Sequence, residues 1–455
     1  MKKLFMLLTV VTLFISTLSG CSGGKGSTVK ASKEGEKIVV PFINGVGGSL
    51  ADHVDKIVEE YNKSQDKYVV KTTKAGNYDE SYQKLQSGFA ANNQEAIALL
   101  GSDVIQEYVK KQLIVPLDES VKNDDDFKKE DYGKGFMEQA TIDGKLYGIP
   151  FYGTTQIFYY NKEALAENGF TKDDLKTWEG VEKVAKTVAK RGENGNVSYA
   201  GWMPMWGTSN LIDAVRSAGG NVLSEDGKKV LINDDTWVTV WEKFRTWLHE
   251  DKIMKIHSGG TGWEYWDKTV IDLVEGRTLG FTGSSGDQGF VFKSLGKGMT
   301  EEERLSTFDA LPQPAWGNHK PAPKLETYLF TLTRNIDPEV AKGAYAFMKF
   351  ATSTEKTAEW SMATGYIPVR NNVTEYGPYA EFVKKQPQAL VPLEQANNNG
   401  VGPFVDPTGG KINDALNVAK DKVEIEGVSA KKALDEAAKV AQEELDKFLK
   451  RRSKV

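Results

Sequence analysis

The chain has 455 residues, 40% of them apolar and 27% charged, with 58 basic against 63 acidic side chains and a net charge of −5. That length allows two or three domains and a core that folds without covalent staples. The acidic balance, with no basic stripe, excludes a nucleic-acid surface and an electrostatic hold on anionic lipid, and the single cysteine, Cys21, excludes an intrachain disulfide.

Lys2 and Lys3 precede an apolar run from Leu4 to Ile15, too short to span a bilayer, and Leu18-Ser19-Gly20-Cys21 follows. This order resembles a bacterial lipoprotein signal with its lipobox. The resemblance implies cleavage before Cys21, a diacylglycerol on its thiol, and a body held at the outer face of the cell membrane by two or three acyl chains. The other reading is an ordinary secretory signal with an incidental cysteine. Removing the signal leaves 56 basic against 63 acidic residues. Residues 22–36 are rich in small and charged residues without apolar periodicity, as in a flexible tether.

The body opens with a strand from Lys37 to Ile43 and a glycine-rich turn from Asn44 to Ser49. A helix follows with Leu50, Val54, Ile57, Val58 and Tyr61 on one face. A strand from Tyr68 to Thr72, a helix from Tyr78 to Asn92 and a strand from Ala96 to Leu100 complete a βαβαβ pattern and predict a parallel sheet. Asp143-Gly144 centres a hairpin over Thr141 to Pro150, and Thr155 to Tyr160 is a further strand. Asn161 caps a helix to Glu167, and Trp178 to Lys190 is helical with Val181, Val184, Ala185 and Val188 inward. Asp226-Gly227 marks a second hairpin over Val222 to Ile232. Asp234 or Asp235 caps a helix over Thr236 to Lys252. Leu329 to Leu332 is a strand, Pro338 opens a helix to Ala351, and Ala430 to Leu449 is the last helix.

No catalytic constellation stands out. His53, His249, His257 and His319 form no HExxH pattern, and there is no thiolate ligand, so no metal or other cofactor is expected. Ser285 has Gly283 two before it but Asp287 two after, which breaks the nucleophile elbow. Gly45-Val46-Gly47 lacks the third glycine of a dinucleotide loop, because position 50 is Leu50. Asp124-Asp125-Asp126 lacks the alternation of a calcium loop. Paired carboxylates, as a carbohydrate-active enzyme needs, are neither shown nor forbidden.

Ten tryptophans and seventeen tyrosines remain to be placed. Trp237, Trp241 and Trp247 lie along one helix and read as core. Trp263 and Trp266 flank Glu264-Tyr265. Trp202 and Trp206 sit in a loop with glycine and proline, where function concentrates. An indole face beside small hydroxyls suits a sugar ring, so Trp202 and Trp206 are candidate ligand contacts.

Tyr147-Gly148-Ile149-Pro150-Phe151 and Phe158-Tyr159-Tyr160-Asn161-Lys162-Glu163 resemble conserved stretches of the family 1 extracellular solute-binding proteins, the capture components of bacterial sugar ABC importers. Thr177-Trp178-Glu179, Ser353-Thr354-Glu355 and Thr364-Gly365-Tyr366-Ile367-Pro368-Val369-Arg370 resemble further motifs of that family. The resemblance implies an α/β, two-lobed, periplasmic-binding-protein-like type II fold, with ligand trapped in a cleft by hinge closure. Lobe 1 is expected over 37–150 plus 312–352 and lobe 2 over 151–311 plus 353–455. Crossings are expected near Pro150-Phe151, Leu311-Pro312 and Ala351 to Thr354. It implies a monomer that is not an enzyme and hands a carbohydrate to permease subunits in the membrane.

The nearest look is to glycerol-3-phosphate and glycerophosphodiester binders. Gly76-Asn77-Tyr78 resembles their ligand-contacting tyrosine motif. Thr154 stands where they carry a ligand-binding serine, and Ser284 and Ser285 stand in their serine-rich turn. Two segments depart from that pattern: Leu325 to Phe330 replaces a glycine-rich stretch, and Val401 to Ile412 holds no arginine for phosphate, leaving Lys411 as a point charge. A neutral sugar or short oligosaccharide is the expected ligand, with Asp103 and Glu326 accepting from its hydroxyls. Asn44 and Ser102 complete the candidate contacts. A glycerol-3-phosphate or glycerophosphodiester binder is the alternative.

Overall fold

The computed structural model describes residues 28–47, 50–259, 264–294 and 298–452; Cys21 and the signal before it lie outside the described residues. Among the described residues no helix is long and apolar enough to cross a membrane. Lys37–Asn44 forms strand β1, with Val40, Phe42 and Ile43 buried. Helix α1 (Leu50–Ser64) buries Val54, Ile57, Val58 and Tyr61, the face that its spacing predicts. Strand β2 (Tyr68–Lys74), helix α2 (Tyr78–Ala91) and strand β3 (Ile97–Gly101) complete the first unit. β1 pairs parallel with both β2 and β3, because each helix carries the chain back to start the next strand in the same direction. The Asn77 side chain accepts from the Glu80 N–H to start α2, and Asn92, in the left-handed conformation, ends it.

Thr141–Ile142 pairs with Lys145–Leu146 around Asp143 (φ 50°) and Gly144 (φ 76°), the positive angles that a tight hairpin turn demands. The hairpin stops at Leu146; Ile149–Thr154 is a separate strand, β4, in the large sheet. Strand β5 (Gln156–Asn161) then belongs to a second sheet with β6 (Met203–Pro204), β7 (Gly280–Ser284) and β8 (Phe308–Pro312), in the order β6-β7-β5-β8. Strand β9 (Glu326–Thr333) returns to the first sheet between β3 and β4, and β10 (Ile367–Pro368) pairs with β4. Val222 to Ile232 makes one bridge, Leu223 with Val230, instead of a full hairpin.

The helices divide between the sheets. α3 (Trp178–Val188), α4 (Thr208–Ser217), α5 (Asp235–Arg245) and α6 (Glu264–Val274) join the second lobe. Asp234 caps α5 by accepting from the Trp237 N–H, and the expected run to Lys252 continues as a wider turn over Thr246–Glu250. α7 (Pro338–Ala351) and α8 (Thr354–Thr364) join the first lobe, where Phe347, Met348 and Trp360 enter its core. α9 (Val391–Asn399) straddles the two sheets, and α10 (Lys411–Glu424) and α11 (Ala430–Arg452) close the second lobe. Trp237, Trp241 and Trp247 are fully buried there, as core.

The chain changes lobe at Thr155, between β4 and β5, and again between Pro312 and Glu326. Residues 151–154 and 354–368 therefore belong to the first lobe, which corrects the expected bounds. β4 continues past Pro150 because its residues through Thr154 pair with β9, and no crossing occurs at Ala351 to Thr354 because Trp360 and Ile367 are needed in the first core. Buried Gln395 on α9 ties the crossings together. Its side-chain amide donates to Thr155 Oγ1 (2.9 Å) and the Gln156 carbonyl (2.7 Å), and its oxygen accepts from the Gln313 N–H (2.7 Å).

Candidate functional site

A cleft of about 540 Å3 lies between the lobes. The first-lobe wall is a stack of phenols. Tyr78, at the start of α2, lies 4.5 Å from the Tyr328 ring, and Tyr328 stacks on Tyr152 at 4.9 Å. Tyr152 packs on Tyr366 at 4.5 Å, and the hydroxyls of Tyr78 and Tyr152 are 2.5 Å apart. Tyr78, Tyr328 and Tyr366 line the cleft. The second-lobe wall carries Trp206, Tyr265 and Trp266, with Trp206 packed edge-to-face on Tyr265 at 4.9 Å. Trp206 follows β6 at its C-terminal end, and β6 runs parallel to β7; the carboxyl ends of such strands are where open α/β sheets place ligands.

Between the walls the polar groups are hydroxyls and amides, which donate as well as accept, with Glu326 and Lys324. Thr154 Oγ1, at the end of β4, meets Ser284 Oγ, at the end of β7, at 2.8 Å, so one hydroxyl from each lobe forms the floor. Asn210 is buried, donates to the Met205 carbonyl, and leaves its own oxygen without a partner. The Gln156 side-chain oxygen is likewise buried and unpartnered. Both residues line the cleft.

One basic side chain, Lys324, lines the cleft among the described residues. Its ammonium lies 2.5 Å from Glu326, and its backbone N–H donates to Asp213 (3.0 Å). Burial works against this ammonium's charge, yet Glu326, Asp103 and Asp213 outweigh it and raise its pKa. Burial pushes the Asp213 carboxyl up to about 6, with Lys324 pulling the other way. Asp103 is exposed at the rim, where solvent screens it; the surrounding protein and Glu326 raise its pKa. Gly101 makes room for this pair: a Cβ there would sit 2.5 Å from Asp103 Oδ1 and 3.1 Å from Glu326 Oε1. Asp103, Asp213, Arg216 and Lys324 also line an adjoining chamber of about 390 Å3.

Of the residues singled out from the sequence, Tyr78, Thr154, Trp206, Ser284 and Glu326 line the cleft, and Asp103 borders the adjoining chamber. The others are corrected. Trp202 is core, enclosed by Trp178, Phe158 and Phe244. Asn44 is buried and accepts from the Val46 N–H, which shapes the turn after β1. Ser102 is buried, its hydroxyl accepting from the Thr327 N–H to join β3 to β9. Ser285 is fully buried behind Thr154. Lys411 opens α10 on the outer surface, where it pairs with Asp414 (2.9 Å) beside a groove between α10 and α11. Sequence reasoning missed Gln156, Asn210, Asp213, Lys324 and Tyr328 as site residues. Tyr265 and Trp266 were visible as an aromatic cluster, although Trp263 lies outside the described residues.

A family described as bacterial extracellular solute-binding protein matches residues 56–391. The sn-glycerol-3-phosphate-binding periplasmic protein UgpB of Yersinia pestis is 23% identical over 382 residues, covering 80% of this chain and 82% of that protein. The protein of the same name from Brucella suis is 24% identical over 447 residues, covering 93% and 96%. Among solved structures, UgpB from Mycobacterium tuberculosis in complex with glycerophosphocholine superposes with a TM-score of 0.78 at 17% identity, covering 90% of this chain and 99% of that one. Maltose-bound MalE3 of T. maritima superposes with a TM-score of 0.75 at 16% identity, covering 89% and 99%. These structures share the two-lobed fold.

Proposed function

Because this chain belongs to the bacterial extracellular solute-binding proteins, we propose that it captures a neutral carbohydrate, a sugar or short oligosaccharide, between its lobes and delivers it to the membrane permease of an ABC importer. It carries out no chemistry on the ligand. Cys21 holds it by lipid at the outer face of the membrane, and closure about the Thr155 and 313–325 crossings traps the ligand. The observation that carries this reading is the lining of the cleft. Aromatic faces stand on both lobes, and the hydroxyls of Thr154 and Ser284 with the amides of Gln156 and Asn210 stand between them. A sugar offers apolar C–H faces to the rings and hydroxyl donors to the oxygens. A phosphate offers neither; it wants guanidinium forks or free N–H groups, and the one ammonium that lines the cleft among the described residues, Lys324, already pairs with Glu326.

The names of the relatives make glycerol-3-phosphate and glycerophosphodiesters the competing ligands, so both classes belong in one assay. A soluble form without Met1 to Cys21 is melted against mono- and oligosaccharides, glycerol-3-phosphate and glycerophosphocholine. A true ligand at a hundredfold excess over Kd adds about 2.7 kcal/mol of stability. Neutral sugars are expected to raise Tm; a shift confined to the phosphate-bearing ligands overturns the reading. Sugar recovered intact after long incubation separates capture from turnover.

Trp206→Ala provides a second check. Half-buried on the wall, Trp206 contributes to the ligand more than to the core. Calorimetry is expected to show sugar affinity falling about tenfold to a hundredfold, or about 1.4–2.8 kcal/mol, with ligand-free Tm nearly unchanged. Unfolding of this variant would return Trp206 to the core.

A further inference from the structure

The two tryptophans on the second-lobe wall share an arrangement that their position in the cleft does not require. Each turns its indole N–H away from the cleft and donates it to a carboxylate behind. Trp266 Nε1 lies 2.8 Å from Asp287 Oδ1, and Trp206 Nε1 lies 3.3 Å from Asp421 Oδ1. Lys420, also on α10 and not among the residues lining the cleft, places its ammonium 3.6 Å from the centre of the Trp206 ring and is itself paired with Asp421 at 3.1 Å. Neither aspartate lines the cleft.

Asp287 is the more telling of the two. Its side chain is almost fully buried and its Oδ2 has no hydrogen-bond partner among the described residues. Burial holds its pKa well above the usual carboxylate range. Glycine at 283 leaves the space that it fills, since a Cβ there would stand 2.2 Å from Oδ2. A buried acid with an unpaired oxygen costs stability that a leucine of similar size would not. What it provides in return is a fixed orientation of Trp266, together with proximity to the backbone of Ser284, whose hydroxyl lines the cleft.

We propose that Asp287 and the Lys420–Asp421 pair are positioning residues of the ligand site: they pin Trp266 and Trp206 so that both present ring faces, with no N–H donor, to the ligand. Specificity follows from this. The two indoles read apolar C–H faces only, and hydrogen bonds to the ligand come from the other polar groups of the cleft. The ligand part of this inference rests on the carbohydrate reading; the pinning does not.

The full chain is labelled with 5-fluorotryptophan, and the lines of residues 206 and 266 are assigned with Trp206→Phe and Trp266→Phe. Each is expected as a narrow fluorine resonance without ligand. Asp287→Asn, which keeps an acceptor, leaves the Trp266 line in place. Asp287→Leu broadens or moves it while ligand-free Tm holds or rises, and affinity for maltose or whichever panel sugar binds falls at least tenfold. Asp421→Asn, which keeps an oxygen beside Lys420 and Trp206, leaves the Trp206 line in place, and Asp421→Ala does the same to the Trp206 line as Asp287→Leu does to that of Trp266. Unchanged lines in Asp287→Leu and Asp421→Ala, or unchanged affinity despite moved lines, overturn the proposal. Because the fluorine readout needs no ligand, moved lines in a protein that binds no sugar would sink the carbohydrate reading and leave the pinning standing.

Discussion

Replacing Lys324 with methionine is expected to cost about 3–5 kcal/mol of folding stability and to abolish ligand binding. The Lys324 side chain is partly buried, 18% exposed, against Glu326, which is itself buried, and its ammonium lies within the field of Asp103 and Asp213. Two unit charges 4 Å apart interact by about 4 kcal/mol at an effective dielectric near 20. Methionine keeps the apolar stem and removes the charge, so three carboxylates are left facing one another with no cation at their centre. They must then take up protons or admit water, and either response disturbs the acceptors that the ligand needs. Glu326→Gln should cost less, because the Lys324 ammonium stays within the field of Asp103 and Asp213 and keeps the Ser209 hydroxyl at 3.4 Å. In urea unfolding, the Lys324→Met, Glu326→Gln double variant should recover part of the single loss, the signature of a coupled pair. A Lys324→Met protein within 1 kcal/mol of the parent would mean that solvent already screens this cluster.

That cluster also shows where sequence reasoning stops. Local signals carried the first lobe well: the α1 face, the Asn77 cap and the Asp143-Gly144 turn each follow from a few adjacent residues. Lys324 and Asp213 are 111 positions apart, and no propensity or spacing links them. Trp202 and Trp206 share one Gly-Pro-rich loop, and composition treats them alike. What separates them is β6 between them: Trp202 enters it on the core side, against Trp178, and Trp206 leaves it at the carboxyl end, into the cleft. Lys411 illustrates a different failure. The segment around it resembles a phosphate-binding stretch, but α10 turns that end outward and brings its far end, Lys420 and Asp421, up behind Trp206.

The far end of α10 also sets the expected response to pH. Glu424 is buried with Oε2 unpartnered, and burial pushes its pKa up to about 8; Lys420 offsets part of this and Asp421 adds to it. Asp213 is pushed up to about 6. For both, the folded state holds a proton that the unfolded chain releases near its ordinary carboxylate value, about 4. The folded state therefore binds more protons between about pH 4 and pH 8, and stability falls as pH rises through that window, by roughly 1.4 kcal/mol per unit for each proton so held. Below it the opposite class takes over: Asp272, a buried carboxylate whose pKa is held down by His257, Lys255 and Arg277 against the cost of burial, loses its contribution as acid protonates it. Chemical unfolding should thus find maximal stability near pH 5, and a clear decline by pH 8.5. Glu424→Gln, which keeps the shape and cannot ionise, is expected to match the parent at pH 5 and exceed it at pH 8.5, flattening the upper part of the curve. Parallel curves for the two proteins would show that Glu424 ionises without penalty, and that Lys420 satisfies it as well as Asp421. A flattened curve would instead leave Asp421 as the one carboxylate balancing Lys420 near neutral pH, with Glu424 still protonated and the pair free to hold Trp206 in place.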